Sequence, residues 1–141
     1  MSKANEKQVG GSHYRSEMQH WDFVEDNGVG YLEGCATKYV TRWRKKNGLQ
    51  DLEKAGHYID KLIEIAKDGR QSRSGYCTFV DNFCQVNKLE EVETRICQIL
   101  FSDWSISSLY EARGLVQKLI DENQPKPDNT GMEHPFGYNG E

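Results

Sequence analysis

The stretch from Gln50 to Lys67 constrains this chain more than any other. Leu52, Ala55, Ile59, Leu62, Ile63 and Ala66 recur every three or four residues, which puts six apolar side chains on one face of a helix. Asp51 and Glu53 stand in its first turn, where the helix dipole favours negative charge. A helix of this kind needs other apolar faces to cover it, and the rest of the sequence supplies them at the same period. A helix is expected from residue 16 to 27, with Met18, Trp21 and Val24 (and Phe23 beside them) inward and Gly28 as its stop. A second is expected from Tyr31 to Lys46, with Leu32, Ala36, Tyr39 and Trp43 as its stripe and Gly48 as its end. The short link Asn47-Gly48-Leu49 predicts that the second and third helices form an antiparallel hairpin.

After a polar joint from Gly69 to Gly75 the helical pattern restarts, with helices expected at about 78–86, 88–101 and 108–123. Three pairs resemble N-caps followed by an acidic third position: Thr78 with Asp81, Asn87 with Glu90, and Ser108 with Glu111. Phe79, Phe83, Leu89, Val92, Ile96, Ile99, Leu100, Leu109, Leu115, Val116, Leu119 and Ile120 would line the core. The expected fold is all-α: a helical hairpin plus a further small helical bundle. Flexible tails are expected at residues 1–11 and 124–141, around a helical domain at 12–69 and a C-terminal helical region at 76–123.

At 141 residues the chain is long enough for a core without metal or disulfide staples. Its four cysteines, at 35, 77, 84 and 97, form no CxxC pair and read as small buried hydrophobes of a reducing compartment. No apolar run approaches membrane-spanning length, and the N-terminus has no signal-peptide core. A cytosolic protein with no membrane partner is expected.

The net charge of −4 hides an asymmetry. From Lys38 to Arg73 ten Lys and Arg face five Asp and Glu, a balance of +5; from Ser74 onward five face eleven, a balance of −6. A basic front half suits a small anionic ligand, whereas the acidic whole argues against coating a long nucleic acid.

The basic residues have a pattern. Lys38, Arg42 and Lys45 are spaced i, i+4, i+7 and would share a face, with Arg44 and Lys46 beside them. Cations held together in this way suit phosphate, and Arg can grip two oxygens at once. The same cluster also fits a solvated helix end favoured by its dipole. On the third helix Asp51, Lys54, Tyr58 and Lys61 would face the hairpin partner, with His57 next to Tyr58. His13 and Tyr14 precede the first helix and would cap such a pocket and stack on a base. His20 reads as a partner to packed aromatics. No GxxxxGK[ST] phosphate loop, HExxH pair or kinase loop set is present, nor an acidic cluster able to hold two metals. Asp22, Asp26 and Asp51 would at most assist a magnesium ion already on a nucleotide.

These residues carry a resemblance. His13-Tyr14, then Lys38-Tyr39 with Arg42, then Lys46, Gly48, Asp51-Leu52, Lys54-Ala55 and Tyr58 match a pattern of a small bacteriophage domain family of largely unknown function. The similarity runs from Ser12 to Glu64, 53 residues, and leaves Ser74 to Glu141 outside it. A similar domain forms the C-terminal part of a phage nucleotide kinase that lacks a phosphate loop and assembles as an oligomer. The resemblance implies a phage protein of the host cytoplasm that binds nucleotides, forms a homo-oligomer and phosphorylates nucleoside monophosphates with magnesium and ATP. On that reading Lys38, Arg42, Lys45 and Lys46 bind phosphate, Asp51 and Lys54 are catalytic, and His13, Tyr14, His57 and Tyr58 contact base or sugar. Two alternatives stand beside it. One is a binder that sequesters nucleotide-derived host immune signals. The other is an inhibitor of a host enzyme acting through the acidic C-terminal half, where Glu90, Glu91, Glu93 and Asp103 would mimic nucleic-acid charge.

Overall fold

The computed structural model describes residues 18–71, 77–102 and 104–125. The expected N-terminal tail and nearly all of the C-terminal one lie outside these residues. So do His13, Tyr14, Asp103 and His134. Among the described residues there are six α-helices and no strand: α1 (His20–Asn27), α2 (Tyr31–Arg42), α3 (Leu49–Lys67), α4 (Val80–Val86), α5 (Glu91–Ser102) and α6 (Ile106–Glu122). The fold is all-α. No described helix is long and apolar enough to cross a membrane.

The α3 stripe reads as expected: Leu52, Ala55 and Ile59 are fully buried, and Leu62, Ile63 and Ala66 nearly so. Helix α2 runs antiparallel to it, because Arg42 at the end of α2 meets Asp51 at the start of α3, while Tyr31 at the start of α2 meets Tyr58 further along. Helix α6 packs along α3, and α5 packs on both α2 and α6. Buried residues from α1 to α6 form one continuous cluster, so the two halves of the sequence share a core.

Several local expectations are corrected. Helix α2 stops at Arg42 and passes into a 3-10 turn, Trp43–Lys45, where the sequence predicts a single helix to Lys46. Burial of the Trp43 ring and its bond to Glu93 accompany the tighter winding. On α1 it is Phe23 that is buried, its ring tilted against those of Phe83 and Phe101 at 4.7 Å, whereas Trp21 is exposed. Gly28 does end α1, in the left-handed region at φ 62°. Phe79, expected in the core, is 70% exposed. Its backbone is left-handed (φ 62°), and it forms the N-cap of α4 in place of Thr78. Thr78 spends its N–H on Asn27 Oδ1 (2.9 Å).

Asn87 caps the end of α4 rather than the start of α5. Its Nδ2 donates to the carbonyls of Phe83 (2.9 Å) and Met18 (3.1 Å). The N-cap of α6 is Ser105, and Ser108 is the third residue of its capping box, the two serines satisfying each other's backbone N–H. Cys77, Cys84 and Cys97 are buried and Cys35 is half-buried; none of the four is joined in a disulfide.

Candidate functional site

The seam between α2 and α3 brings together most of the residues singled out in the sequence. Its centre is the Tyr39 ring. Arg42 Cζ stands 4.8 Å from the ring centroid, Lys54 Nζ 5.3 Å and Lys38 Nζ 5.6 Å. Two helices thus deliver three cations to one aromatic ring, within the range of cation–π attraction. Lys38 and Lys54 are exposed, and Arg42 is half-buried.

The ring is itself held. Tyr58 of α3 stacks against Tyr39 at 6.0 Å and 15°, and Tyr31 meets Tyr58 edge-on at 6.4 Å and 77°. Hydrogen bonding to Tyr31, with the Cys35 thiol adding to it, pushes the Tyr58 phenol up to about 12. It stays a neutral O–H at any physiological pH. Three tyrosines therefore form a row across the seam, with the cations at the Tyr39 end.

Arg42 has a second commitment. Its Nε and Nη2 donate to Asp51 Oδ2 and Oδ1 at 3.3 and 3.4 Å, and Oδ2 also accepts the N–H of Asn47 at 3.2 Å. Asp51 is fully buried. It therefore closes the loop between α2 and α3. Both of its oxygens already accept hydrogen bonds.

The other expected site residues lie further out. Lys45 and Lys46 are exposed, in and just after the 3-10 turn. His57 is exposed on α3, one turn beyond Lys54. Lys61 pairs with Glu64 at 2.7 Å. His20 packs on Phe83, and its Nε2 lies 2.8 Å from Thr37 Oγ1. Burial, with the Lys38 charge adding to it, pushes its pKa down to about 4. His20 is therefore a neutral packing residue, as its place beside the aromatics suggested. Among the described residues no group of three or more His, Cys, Asp or Glu side chains is placed to hold a metal ion.

Arg44 turns away from the seam. Its guanidinium covers the Trp43 ring at 4.3 Å and bonds Glu93 Oε2 at 2.7 Å, an oxygen that also accepts Trp43 Nε1–H at 2.9 Å. Glu93 is 1% exposed, so it does not belong to a solvated acidic face with exposed Glu90 and Glu91. This clamp between the two halves has no sequence signal, because its members lie 49 and 50 residues apart.

Residues 9–60 match the model of a family described as a protein of unknown function (DUF3310). The match covers α1, α2 and α3 as far as Asp60, with the cation cluster and the Asp51 lock, and leaves the end of α3 and the later helices outside. Over this stretch the chain is similar to a small domain family of unknown function. No curated protein and no solved structure matches the chain.

Proposed function

We propose that the protein binds a nucleoside phosphate at the α2–α3 seam. One observation supports this above all: Lys38, Arg42 and Lys54 gather on the Tyr39 ring from two helices. Collecting like charges costs free energy through mutual repulsion, and a phosphate returns it. Lys38 and Lys54, the exposed pair, hold the anion. Arg42, tied to Asp51, fixes the edge of the site and adds its charge. Tyr58 and the neighbouring His57 offer contacts to sugar or base. Lys45 and Lys46 extend the positive field at the rim.

The resemblance extends this reading to phosphoryl transfer onto a nucleoside monophosphate. That reaction is catalysed mainly by positioning and positive charge. Magnesium would arrive on the phosphates of ATP, since the oxygens of Asp51 accept from Arg42 and Asn47. The same engagement of Asp51 favours a second reading, a binder that retains the nucleotide unchanged. Self-assembly and a host-protein partner belong to these readings as further proposals.

A thermal-shift panel of mono-, di-, tri- and cyclic nucleotides tests binding, because a ligand of the native state raises Tm. Each lysine–phosphate bond lost should weaken binding about tenfold, so Lys38→Ala with Lys54→Ala should weaken it about a hundredfold. Unchanged binding in the double variant would remove the assignment. Incubation with ATP and the bound monophosphate then separates the two readings: a diphosphate product means transfer, and retention without product means sequestration.

A further inference from the structure

A cleft separate from the cation cluster opens between the first turn of α2, the C-terminal half of α3 and the chain at Trp104. Tyr31, Glu33, Leu62, Ile65, Arg70 and Trp104 define it, and its volume is 360 Å³. Small-ligand sites span roughly 300–1,000 Å³ and combine apolar walls with a few polar groups. A neighbouring hollow of 430 Å³ shares Arg70 and Trp104, so the indole is a wall common to both.

The chemistry of the walls is graded from inside to outside. Leu62 and Ile65 present an apolar surface from α3, and Trp104 and Tyr31 bring aromatic rings. Glu33, 3% exposed, adds an acidic side chain to the lining. Arg70 is exposed at the mouth. Its position is built by the end of α3: Gly69 turns at φ 84°, its N–H bonds the Ala66 carbonyl (3.0 Å), and the Arg70 N–H bonds the Ile65 carbonyl (3.2 Å). Arg70 has no ion-pair partner among the described residues. Trp104 Nε1 is buried and has no acceptor among them.

We propose that this cleft binds a flat aromatic small molecule with one anionic arm. The ring lies against Trp104 and the Leu62–Ile65 wall, and the arm pairs with Arg70 at the mouth, away from Glu33. A nucleotide and an aromatic carboxylate share this chemistry. The site uses none of the cations around Tyr39, so it stands or falls independently of the phosphate site there.

The full chain has three tryptophans, hence three indole N–H signals in a ¹H–¹⁵N spectrum, and Trp104→Phe identifies the one that matters. Indole-3-acetate, adenosine 5′-monophosphate and adenosine serve as probes. The Trp104 signal should move with one or both anionic probes and much less with adenosine. The anionic probe that acts at the lower concentration names the source. Arg70→Ala should weaken that binding at least tenfold, while Lys38→Ala with Lys54→Ala should leave it intact. A Trp104 signal unmoved by any probe at millimolar concentration would overturn the proposal, as would equal binding of adenosine, or equal affinity in Arg70→Ala. If Trp104→Phe fails to fold, calorimetry on Arg70→Ala, an exposed position, decides the matter in a background that also carries Lys38→Ala and Lys54→Ala, which silences the seam.

Discussion

Trp43 Nε1 donates to Glu93 Oε2 across 50 residues of sequence, and the acceptor is almost wholly buried. Arg44 donates to the same oxygen, while Glu93 Oε1 has no partner among the described residues. A buried carboxylate half satisfied in this way is costly by itself and valuable as a link. It fixes the end of α2 to α5 and so joins the two halves of the chain. Removing it strands the indole N–H in the core and leaves a cavity. Glu93→Ala should therefore cost about 2–3 kcal/mol in urea denaturation. Arg44→Ala should cost less than about 1 kcal/mol, because its side chain is 44% exposed and solvent screens the pair. Equal losses in the two variants would show that the charge pair, rather than the indole bond, carries the link.

The Arg42–Asp51 pair gives a second prediction. Asp51 is fully buried, so Arg42→Ala leaves an uncompensated carboxylate in the core. Such losses run to about 3–5 kcal/mol, whereas removing both partners costs less. Arg42→Ala should be markedly destabilised, and Arg42→Ala with Asp51→Ala should recover part of the loss. If Arg42 served only a ligand, the single variant would keep the wild-type denaturation midpoint and lose only nucleotide binding.

What the sequence reveals and what it hides follow from range. The α3 stripe and the Gly28 stop are local patterns, and local patterns survive folding. The hairpin was legible from its short link, and with it the approach of Lys38, Arg42 and Lys54. At Asp51 the pattern shows an acidic residue among cations but not its burial or its bond to Arg42, because burial depends on helices far away in sequence. Caps failed for a nearer reason. Asn87 offers the same side chain to the helix it ends as to the helix it precedes, and the Phe83 and Met18 carbonyls claimed it. Phe79 and Phe83 are equal in hydrophobicity, but the left-handed backbone at Phe79 turns only the first of them outward. Glu93 and Trp104 acquire meaning only from tertiary neighbours, and no spacing rule announces them.

Gly34 offers a stabilising substitution. It lies inside α2, where glycine costs about 0.5–1 kcal/mol relative to alanine. A Cβ there would meet Val24 Cγ1 at 3.6 Å, Val24 Cγ2 at 3.8 Å and Val29 Cγ1 at 4.0 Å, all ordinary contacts. Gly34→Ala should raise stability by about 0.5–1 kcal/mol and Tm by a few degrees. A lowered Tm would mean that α1 packs more tightly on α2 than these distances allow.

His20 sets a pH limit on the fold. Thr37 Oγ1 donates to the Glu33 carbonyl at 2.8 Å, so the short contact to His20 Nε2 has the imidazole N–H donating to the hydroxyl. That arrangement needs only a neutral ring, and burial makes the charged form expensive. The unfolded chain takes up the His20 proton near pH 6.5, whereas the folded chain resists until about 4. Between these values the unfolded state binds more protons, so the contribution of His20 is full above the unfolded pKa and shrinks as pH falls towards 4. Across the whole window this amounts to about 3 kcal/mol. Urea denaturation at pH 7 and pH 4.5 should show the loss in the wild-type chain and a clearly smaller one in His20→Gln. Lys38→Ala should raise the His20 pKa, since the lysine charge helps to hold it down. An NMR titration that finds His20 near 6.5 in the native protein would show instead that water reaches the ring and that the Thr37 contact does not exclude it.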